Sequence, residues 1–165
     1  MSRRVSAGIL LYRRGPEGVE VLLAHPGGPF FTHRDLGHWT IPKGEPAEGD
    51  DLLATAAREF EEETGQAVAS VARDPATSPV SLGTVTQASG KVVHAWAVEG
   101  DLDPAAATSN TFETYWPPGS GRMKTFPEID RVAWFSLSEA RRRANPSQAL
   151  FVDRLGEALT GTRAG

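Results

Sequence analysis

The sequence contains no cysteine. A disulfide framework, a thiolate metal site and a cysteine nucleophile are therefore excluded. The longest apolar run near the N-terminus, residues 7–12 (AGILLY), is too short to cross a membrane and is followed by Arg13 and Arg14. It also lacks the length and cleavage pattern of a signal peptide. We therefore expect a cytoplasmic protein with no membrane partner.

Basic residues are also fewer than acidic ones, with 17 Lys and Arg residues against 21 Asp and Glu residues and a formal net charge of −4. This balance disfavours a broad nucleic-acid surface, so RNA is not an expected partner, although a local basic cleft is still allowed. The four histidines show no metal-ligand spacing. A length of 165 residues predicts one domain, spanning residues 1–165, with a core of its own.

Short apolar runs, separated by turn residues, predict a chain rich in strands. The predicted strands are residues 5–12, 19–24, 39–41, 66–71, 80–87, 92–98, 111–116 and 131–135. Ser136 and Glu139 have the spacing of a capping box that opens a short helix, and Asn145-Pro146 has the pattern of the start of a final helix. Residues 26–38 and 100–127 are predicted loops, and the second is long enough to be functional.

The order of these elements predicts the fold class. Strands come first, then one helix, then more strands, then helices at the C-terminus, and hairpins are the commonest connections. We predict an α+β fold, an α/β/α sandwich. Its mixed, largely antiparallel sheet would carry the acidic helix described next and the C-terminal helices packed on it.

An acidic helix follows the glycine-rich segment that begins at Gly44. Asp50 or Asp51 is a suitable N-cap, and Gly65 stands where a left-handed C-cap belongs. Glu59, Glu62 and Glu63 share one helical face, next to an apolar stripe that predicts the buried side. The stripe consists of Leu53, Ala56, Ala57 and Phe60. The three carboxylates should therefore lie at the rim of the domain.

Three carboxylates over one helical turn repel one another unless a cation lies between them. Oxygen-only ligands suit Mg²⁺ or Mn²⁺. The alternative is an ordinary amphipathic helix with an acidic solvent face. The glycine entry, the paired acids and the terminal glycine together argue against it.

Residues 44–66 resemble the Nudix box, whose pattern is G-x5-E-x7-R-E-U-x-E-E-x-G-U with U a bulky aliphatic residue. The spacing is kept throughout, with Asp50 in place of the first glutamate and Gln66 in place of the last aliphatic residue. The matching positions are Gly44, Arg58, Glu59, Phe60, Glu62, Glu63 and Gly65. The preceding Trp-x-x-Pro-Lys-Gly, here residues 39–44, is also typical of the family.

The resemblance implies an enzyme that hydrolyses a nucleoside diphosphate linked to another group X, with Mg²⁺ or Mn²⁺ as cofactor and water as the attacking group. It implies that Glu59, Glu62 and Glu63 hold the metal together with the Gly44 carbonyl. Glu59 or Glu62 would also position or deprotonate the water, and Arg58 would orient the glutamates.

Members of the family often add an acid from outside the box. Glu128, which lies shortly before Trp134, has a position similar to that of such acids. It is the candidate for both a metal ligand and a catalytic group. Glu113, from the long loop, is the second candidate.

Substrate phosphates outside the metal site need cations, and Lys43, Arg122 and Lys124 lie on segments expected near it. The nucleotide base needs aromatic surface, which Phe30, Phe31, Tyr115 or Trp116 could supply. Of these we favour Phe31 and Trp116. In the alternative interpretation, Phe30 and Phe31 fold inward and cap the core.

The resemblance is greatest to members that act on dinucleoside polyphosphates or nucleoside triphosphates, so a small-molecule nucleotide is the expected substrate. The alternative is a Nudix-like domain that binds nucleotides or regulates without hydrolysis. Such domains usually lose the metal glutamates, which this chain keeps. The sequence leaves monomer and homodimer open.

Overall fold

The computed structural model describes residues 4–161, so residues 1–3 and 162–165 of the predicted domain lie outside the described part. Within residues 4–161 the chain forms eight strands. They are β1 (Val5–Gly15), β2 (Gly18–Pro26), β3 (Lys43–Gly44), β4 (Val80–Thr86), β5 (Val92–Glu99), β6 (Thr111–Tyr115), β7 (Met123–Pro127) and β8 (Ile129–Ser136). The α-helices of the same part are α1 (Leu52–Thr64), α2 (Val68–Val71), α3 (Leu137–Arg143) and α4 (Ala149–Thr160).

Six of these strands form one mixed sheet with the order β4-β5-β1-β2-β8, and the short β3 pairs with β1. The β1–β5 pair is parallel, and the other pairs in this sheet are antiparallel. Strands β6 and β7 form a separate two-stranded antiparallel sheet. The predicted mixed, largely antiparallel sheet is therefore confirmed.

The sheet is buried on both faces because its central strands are apolar at successive positions. Ile9 on β1 belongs to the core cluster that contains Phe60 of α1. Leu10, on the opposite face, belongs to the cluster that contains Phe151 and Leu155 of α4. Helices therefore cover both faces, and the three-layer α/β/α arrangement is confirmed. Full burial of Phe60 contributes about 1.5–3 kcal/mol to holding α1 on the sheet.

Two predicted elements are wrong at the level of secondary structure. Residues 66–71 were predicted as a strand, but Val68–Val71 form α2, in which Val71 is buried against the core. The final helix begins at Ala149 and not at Asn145-Pro146. The Asn145 side chain instead accepts hydrogen bonds from the backbone and hydroxyl of Ser147, which stabilises a turn before the helix.

The two other corrections concern residues 39–41, which precede the acidic helix, and residues 100–127, which were predicted as a long loop. Residues 39–41 make isolated bridges through Trp39 and Thr40, and the strand that enters the helix is β3. Residues 100–127 were predicted as a loop with one edge strand. They contain a hairpin, because β6 pairs with β7 in register from Thr111 opposite Pro127 to Tyr115 opposite Met123.

No helix within residues 4–161 is long and apolar enough to cross a membrane.

Candidate active site

Helix α1 is fixed at both ends by the residues that the sequence offers for capping. The Asp51 carboxylate accepts a hydrogen bond from the Ala54 N–H at 2.7 Å, so Asp51 and not Asp50 is the N-cap. Gly65 closes the helix in the left-handed region, with φ of 77°. A Cβ at Gly65 would collide with the hydroxyl of Thr108, so this position needs glycine for space as well as conformation.

Glu59 points inward from α1 toward the entry strand β3. Its side chain is 13% exposed, against 39% for Glu62. A Cβ at Gly44 would fall on the Glu59 carboxyl group, so only glycine allows the backbone of β3 and this carboxylate to lie so close. Burial, and then the charge of Glu62, raise the pKa of Glu59.

Glu63 lies deeper than the predicted rim position, which Glu62 alone occupies. The Glu63 carboxylate accepts a hydrogen bond from the backbone of Lys43, and it lines a cavity of about 240 Å³ together with Ser109 and Asp130. Burial, followed by the charge of Glu59, raises the pKa of Glu63 to about 8. The charge of Lys43 lowers the pKa of Glu63 but does not offset the effect of burial.

Arg58 lies against two of the acidic side chains of α1, Glu59 and Glu62. Its guanidinium donates to Glu59 Oε1 at 3.1 Å and to Glu62 Oε1 at 3.3 Å, and it also reaches the Glu45 carbonyl oxygen at 3.3 Å. Asp50 lies 3.7 Å from the same guanidinium. Arg58 therefore contacts three of these acids at once, and its role in orienting the glutamates stays a prediction. The Asp50 carboxylate faces Arg58 and does not cap the helix.

The structure brings Glu128 to the acidic face of α1. Its charge contributes to raising the pKa of Glu59 and of Glu63, after burial and the nearer charges. The backbone of Asn110 joins the two segments, because its N–H donates to the Glu62 carbonyl and its carbonyl accepts from the Glu128 N–H, each at 2.8 Å. Glu128 is therefore held beside the helix by the main chain.

Glu113, the second candidate, points the other way. Along β6 the side chains alternate, so that Phe112 and Thr114 are half-buried and Glu113 and Tyr115 are exposed. Phe112 faces the loop of residues 26–38, since a Cβ at Gly28 would contact its ring at 2.8 Å. Glu113 therefore lies on the opposite face of the hairpin, away from this loop.

Two lysines approach each other beside the acidic face, and the sequence alone indicates only Lys43. Burial, and then the charge of Lys91, lower the pKa of Lys43, while Glu63, Glu59 and Glu45 oppose the shift. The Lys91 side chain is 18% exposed, and its Nζ lies 4.0 Å from Glu45. Lys91 directly precedes β5, which pairs in parallel with β1, and no local sequence signal indicates this neighbour.

The remaining predicted substrate residues lie on the β6–β7 hairpin and the facing loop. Phe30 is 62% exposed and meets Trp116 edge to face, with ring centroids 5.5 Å apart. Lys124 pairs with Thr114, and the Arg122 carbonyl accepts from the Trp116 N–H, which puts both cations on the face that carries Trp116. We call these four side chains (Phe30, Trp116, Arg122, Lys124) the aromatic–basic face.

Phe31 is less closely connected to this face. It is 37% exposed, and its ring pairs with His38 at a centroid distance of 6.4 Å. The alternative in which Phe30 and Phe31 fold inward to cap the core is wrong, because both rings reach solvent.

Metal binding can be tested against the donor set. Within residues 4–161, no three Asp, Glu or His side chains converge into a finished metal site. The donors nevertheless fit a hard divalent cation, because they are carboxylate oxygens next to the main chain of a glycine. Glycine at position 44 lets the Glu59 carboxyl group lie directly against the main chain of β3, so the Gly44 carbonyl and this carboxylate are close enough to serve one ion. Glu59, Glu62, Glu63 and Glu128 would hold the ion, with the Gly44 carbonyl.

Comparison with known proteins identifies the family of this chain. A model of the NUDIX domain matches residues 2–155. No curated protein sequence matches the chain significantly. Several solved structures do match over most of their length, at identities that indicate a shared fold.

One similar structure is a Caenorhabditis elegans Ap4A hydrolase binary complex, with a TM-score of 0.66, 20% identity, and coverage of 94% of this chain and 98% of that one. A second is the NUDIX domain of Shewanella oneidensis NrtR complexed with ADP ribose, with a TM-score of 0.64, 17% identity, and coverage of 96% and 90%. A third is a mutT/nudix family protein from Listeria innocua, with a TM-score of 0.61, 15% identity, and coverage of 98% of both chains.

Proposed function

The chain belongs to the NUDIX family and is a Nudix hydrolase, and on that premise we propose that it hydrolyses a nucleoside diphosphate linked to a group X in a reaction that requires Mg²⁺ or Mn²⁺. The observation that carries this proposal is the grouping of Glu59, Glu63 and Glu128 beside the Gly44 main chain, where the charge of Glu128 contributes to the raised pKa of Glu59 and of Glu63. Dinucleoside polyphosphates and nucleoside triphosphates are the proposed substrates.

The acidic residues of this chain carry the chemistry in this proposal. A bound divalent cation supplies neutralisation of the pyrophosphate and a lower pKa for water. Glu59, Glu62, Glu63 and Glu128 hold that cation, and Arg58 keeps Glu59 and Glu62 in position for it. Glu59, Glu62 or Glu128 accepts a proton from the attacking water, whose oxygen forms the new bond to phosphorus while the P–O bond to the leaving phosphate breaks.

The cations and aromatic side chains bind the rest of the substrate. Lys43 and Lys91 are partly desolvated beside the acidic face, where they balance phosphate charge that the metal leaves uncovered. The aromatic–basic face stands at the far end of the hairpin that begins at Asn110, so it offers a stacking surface for a base and cations for its phosphates. Phe31 remains a proposed contact on the facing loop.

A substrate panel tests the class of X. Dinucleoside polyphosphates, nucleoside triphosphates and ADP-ribose would be incubated with Mg²⁺, with Mn²⁺ and with a chelator, and the products separated by anion-exchange chromatography. We expect metal-dependent release of a nucleoside monophosphate or inorganic pyrophosphate from at least one of them. Nucleotide binding without product would support the non-hydrolytic alternative.

The first prediction concerns the metal ligands. Glu62→Gln and Glu63→Gln should each lower kcat about 10²–10³-fold, the size of effect seen when one preorganised electrostatic contact is lost. The matched control is Glu61→Gln, because Glu61 lies on the same helical turn and its side chain is exposed. Turnover within twofold of wild type in both ligand variants would refute the assignment, and so would an equal loss in the control.

A further inference from the structure

His25, at the end of β2, is the most deeply buried titratable side chain outside the proposed catalytic set, with 1% exposure. Its Nδ1 lies 2.8 Å from Asp130 Oδ1, and its Nε2 lies 2.6 Å from the backbone carbonyl oxygen of Arg34. The ring also meets Trp39 edge to face, with centroids 5.1 Å apart. We call the connection Asp130–His25–Arg34 the His25 bridge.

Both partners of the ring are acceptors. The Arg34 carbonyl oxygen can only accept, and the Asp130 carboxyl group presents an acceptor oxygen to the ring. Each ring nitrogen therefore has a partner of its own, and the buried ring spans the distance between Asp130 and the loop of residues 26–38. Removal of either partner would leave a buried polar atom of the ring unsatisfied.

On the Asp130 side, the His25 bridge holds the segment that contains Glu128. The β2–β8 register shifts between His25, which pairs with Arg131, and Pro26, which pairs with Ile129. Asp130 is thus the extra residue of a bulge, a feature that typically redirects a side chain. Two residues earlier, the Glu128 carbonyl accepts a hydrogen bond from the Gly27 N–H at 2.8 Å.

Gly27 shows how tightly these segments are packed. A Cβ at Gly27 would collide with the carbonyl oxygen of Pro127, so the main chains of the β2 end and of the Glu128 turn are in direct contact. A shift of His25 or Asp130 is therefore transmitted to Glu128 through the main chain.

On the Arg34 side, the His25 bridge holds the loop of residues 26–38. Arg34 lies between Phe31, whose carbonyl accepts from the Arg34 N–H at 3.0 Å, and Asp35, whose carboxylate accepts from the Trp39 indole at 2.8 Å. The same loop carries Phe30, which meets Trp116. One buried ring thus connects the loop of the aromatic–basic face to the strand that follows Glu128.

We propose that His25 is a positioning residue of the reaction, which fixes Glu128 through Asp130 and the substrate loop through the Arg34 carbonyl. This inference rests on the role of Glu128 in the proposed function. His25 itself touches neither substrate nor metal. Its two nitrogens serve different parts of the site, so their effects on kcat and KM can be separated.

Two amide substitutions separate the two functions. His25→Asn places its N–H₂ group near the Nδ1 position and keeps the contact to Asp130, whereas His25→Gln places it near Nε2 and keeps the contact to Arg34. We expect His25→Gln to lower kcat by up to about 10²-fold, as misplacement of a catalytic group by about 1 Å does, with KM within threefold of wild type. We expect His25→Asn to raise KM about tenfold and to preserve most of kcat.

The control is His33→Gln, an exposed histidine of the same loop, which should leave both constants unchanged. His25→Gln should add little to the loss in a Glu128→Gln background, because both changes affect the same group. If Glu128→Gln alone leaves kcat unchanged, the proposed role of Glu128 fails. If Glu128→Gln lowers kcat and folded His25→Gln keeps wild-type kcat and KM, the positioning role is overturned.

A measurement on the wild-type protein covers the case in which the His25 variants do not fold. Nitrogen-15 NMR of the histidine side chains should show one imidazole with hydrogen bonding at both ring nitrogens, and its Nδ1 signal should change in Asp130→Asn. A wild-type spectrum in which no imidazole is hydrogen-bonded at both nitrogens, or an Nδ1 signal that is unchanged in Asp130→Asn, would overturn the His25 bridge.

Discussion

At the scale of single residues, the site distributes its charges unequally. Arg58 supplies hydrogen bonds to Glu59 and Glu62, whereas Glu63 faces the backbone and the charge of Lys43, and burial raises its pKa. Lys43 shows the reverse situation, since burial and Lys91 lower its pKa. Such opposed perturbations are typical of sites that bind charged ligands, because the ligand supplies the missing partners.

Lys91 allows this interpretation to be tested by one substitution. Lys91→Met should raise KM for the nucleotide substrate about tenfold or more, since a charge-assisted hydrogen bond contributes about 1.5–3 kcal/mol. kcat should change less, because Lys91 is proposed to bind phosphate and not to take part in the proton transfer. Steady-state kinetics at several salt concentrations would measure the effect.

The matched control is Arg73→Met, which removes one positive charge from an exposed side chain paired with Glu99. An unchanged KM in Lys91→Met, or an equal increase in Arg73→Met, would show that Lys91 does not bind phosphate.

At the scale of elements, helix α1 carries the proposed carboxylate ligands of the metal other than Glu128, and the β6–β7 hairpin carries most of the aromatic–basic face. Helix α1 is fixed by its caps and by burial of Phe60, so its carboxylates project from a rigid support. The hairpin is joined to α1 at Asn110 and is otherwise exposed over most of its length. The proposed metal ligands and the proposed recognition surface therefore lie on different elements.

The two faces of the hairpin provide an internal comparison. Trp116→Ala should raise KM about tenfold, because stacking of a base on an aromatic ring contributes about 1–3 kcal/mol. Tyr115→Ala, on the adjacent residue and the opposite exposed face, should leave KM within twofold of wild type. Kinetics with the best substrate of the panel and a thermal melt of each variant would provide the comparison. A lower melting temperature without any change in KM would assign Trp116 to packing alone.

The sequence predicted the elements whose signals are local. The caps Asp51 and Gly65 and the acidic face of α1 follow from spacing within one helix. The predicted start of α4 was wrong because Gln148, the residue before the helix, is used in packing. Its side chain is 2% exposed and accepts a hydrogen bond from the Ile41 N–H. Only the packed structure contains that partner, which lies 107 positions earlier in the chain.

At the scale of the whole molecule, the topology of the mixed sheet determines which distant residues become neighbours. The parallel β1–β5 pair brings Val92 opposite Val5, and thereby Lys91 to the region of Lys43. The antiparallel β2–β8 pair does the same for His25 and Asp130, which are 105 positions apart. Local patterns carry no information about strand order, so neither Lys91 nor His25 could be assigned to the site from the sequence.

The pH dependence of the stability of the metal-free protein should report on the ionisation of Glu63. The pKa of Glu63 is about 8 in the folded protein and 4.5 as its ordinary value. Between these values the folded protein keeps a proton that the unfolded chain has released, so the contribution of Glu63 to the free energy of unfolding falls as pH rises. This stabilising contribution is complete below the ordinary pKa of 4.5, and it is lost as pH rises through the raised pKa of about 8.

We therefore expect the free energy of unfolding of wild type, minus that of Glu63→Gln, to decrease from about pH 5 to about pH 8 when measured in urea with a chelator. The subtraction cancels the contributions of other titratable groups to the pH dependence. One of them is His94, whose pKa is lowered by burial and whose contribution to stability therefore rises with pH. Mg²⁺ binds the ionised carboxylate of the folded state, so saturating Mg²⁺ should stabilise wild type more at the higher pH, by about 2.7 kcal/mol at a hundredfold excess over Kd. A difference that is flat with pH, or an equal gain from Mg²⁺ in Glu63→Gln, would show that Glu63 neither retains the proton nor holds the metal.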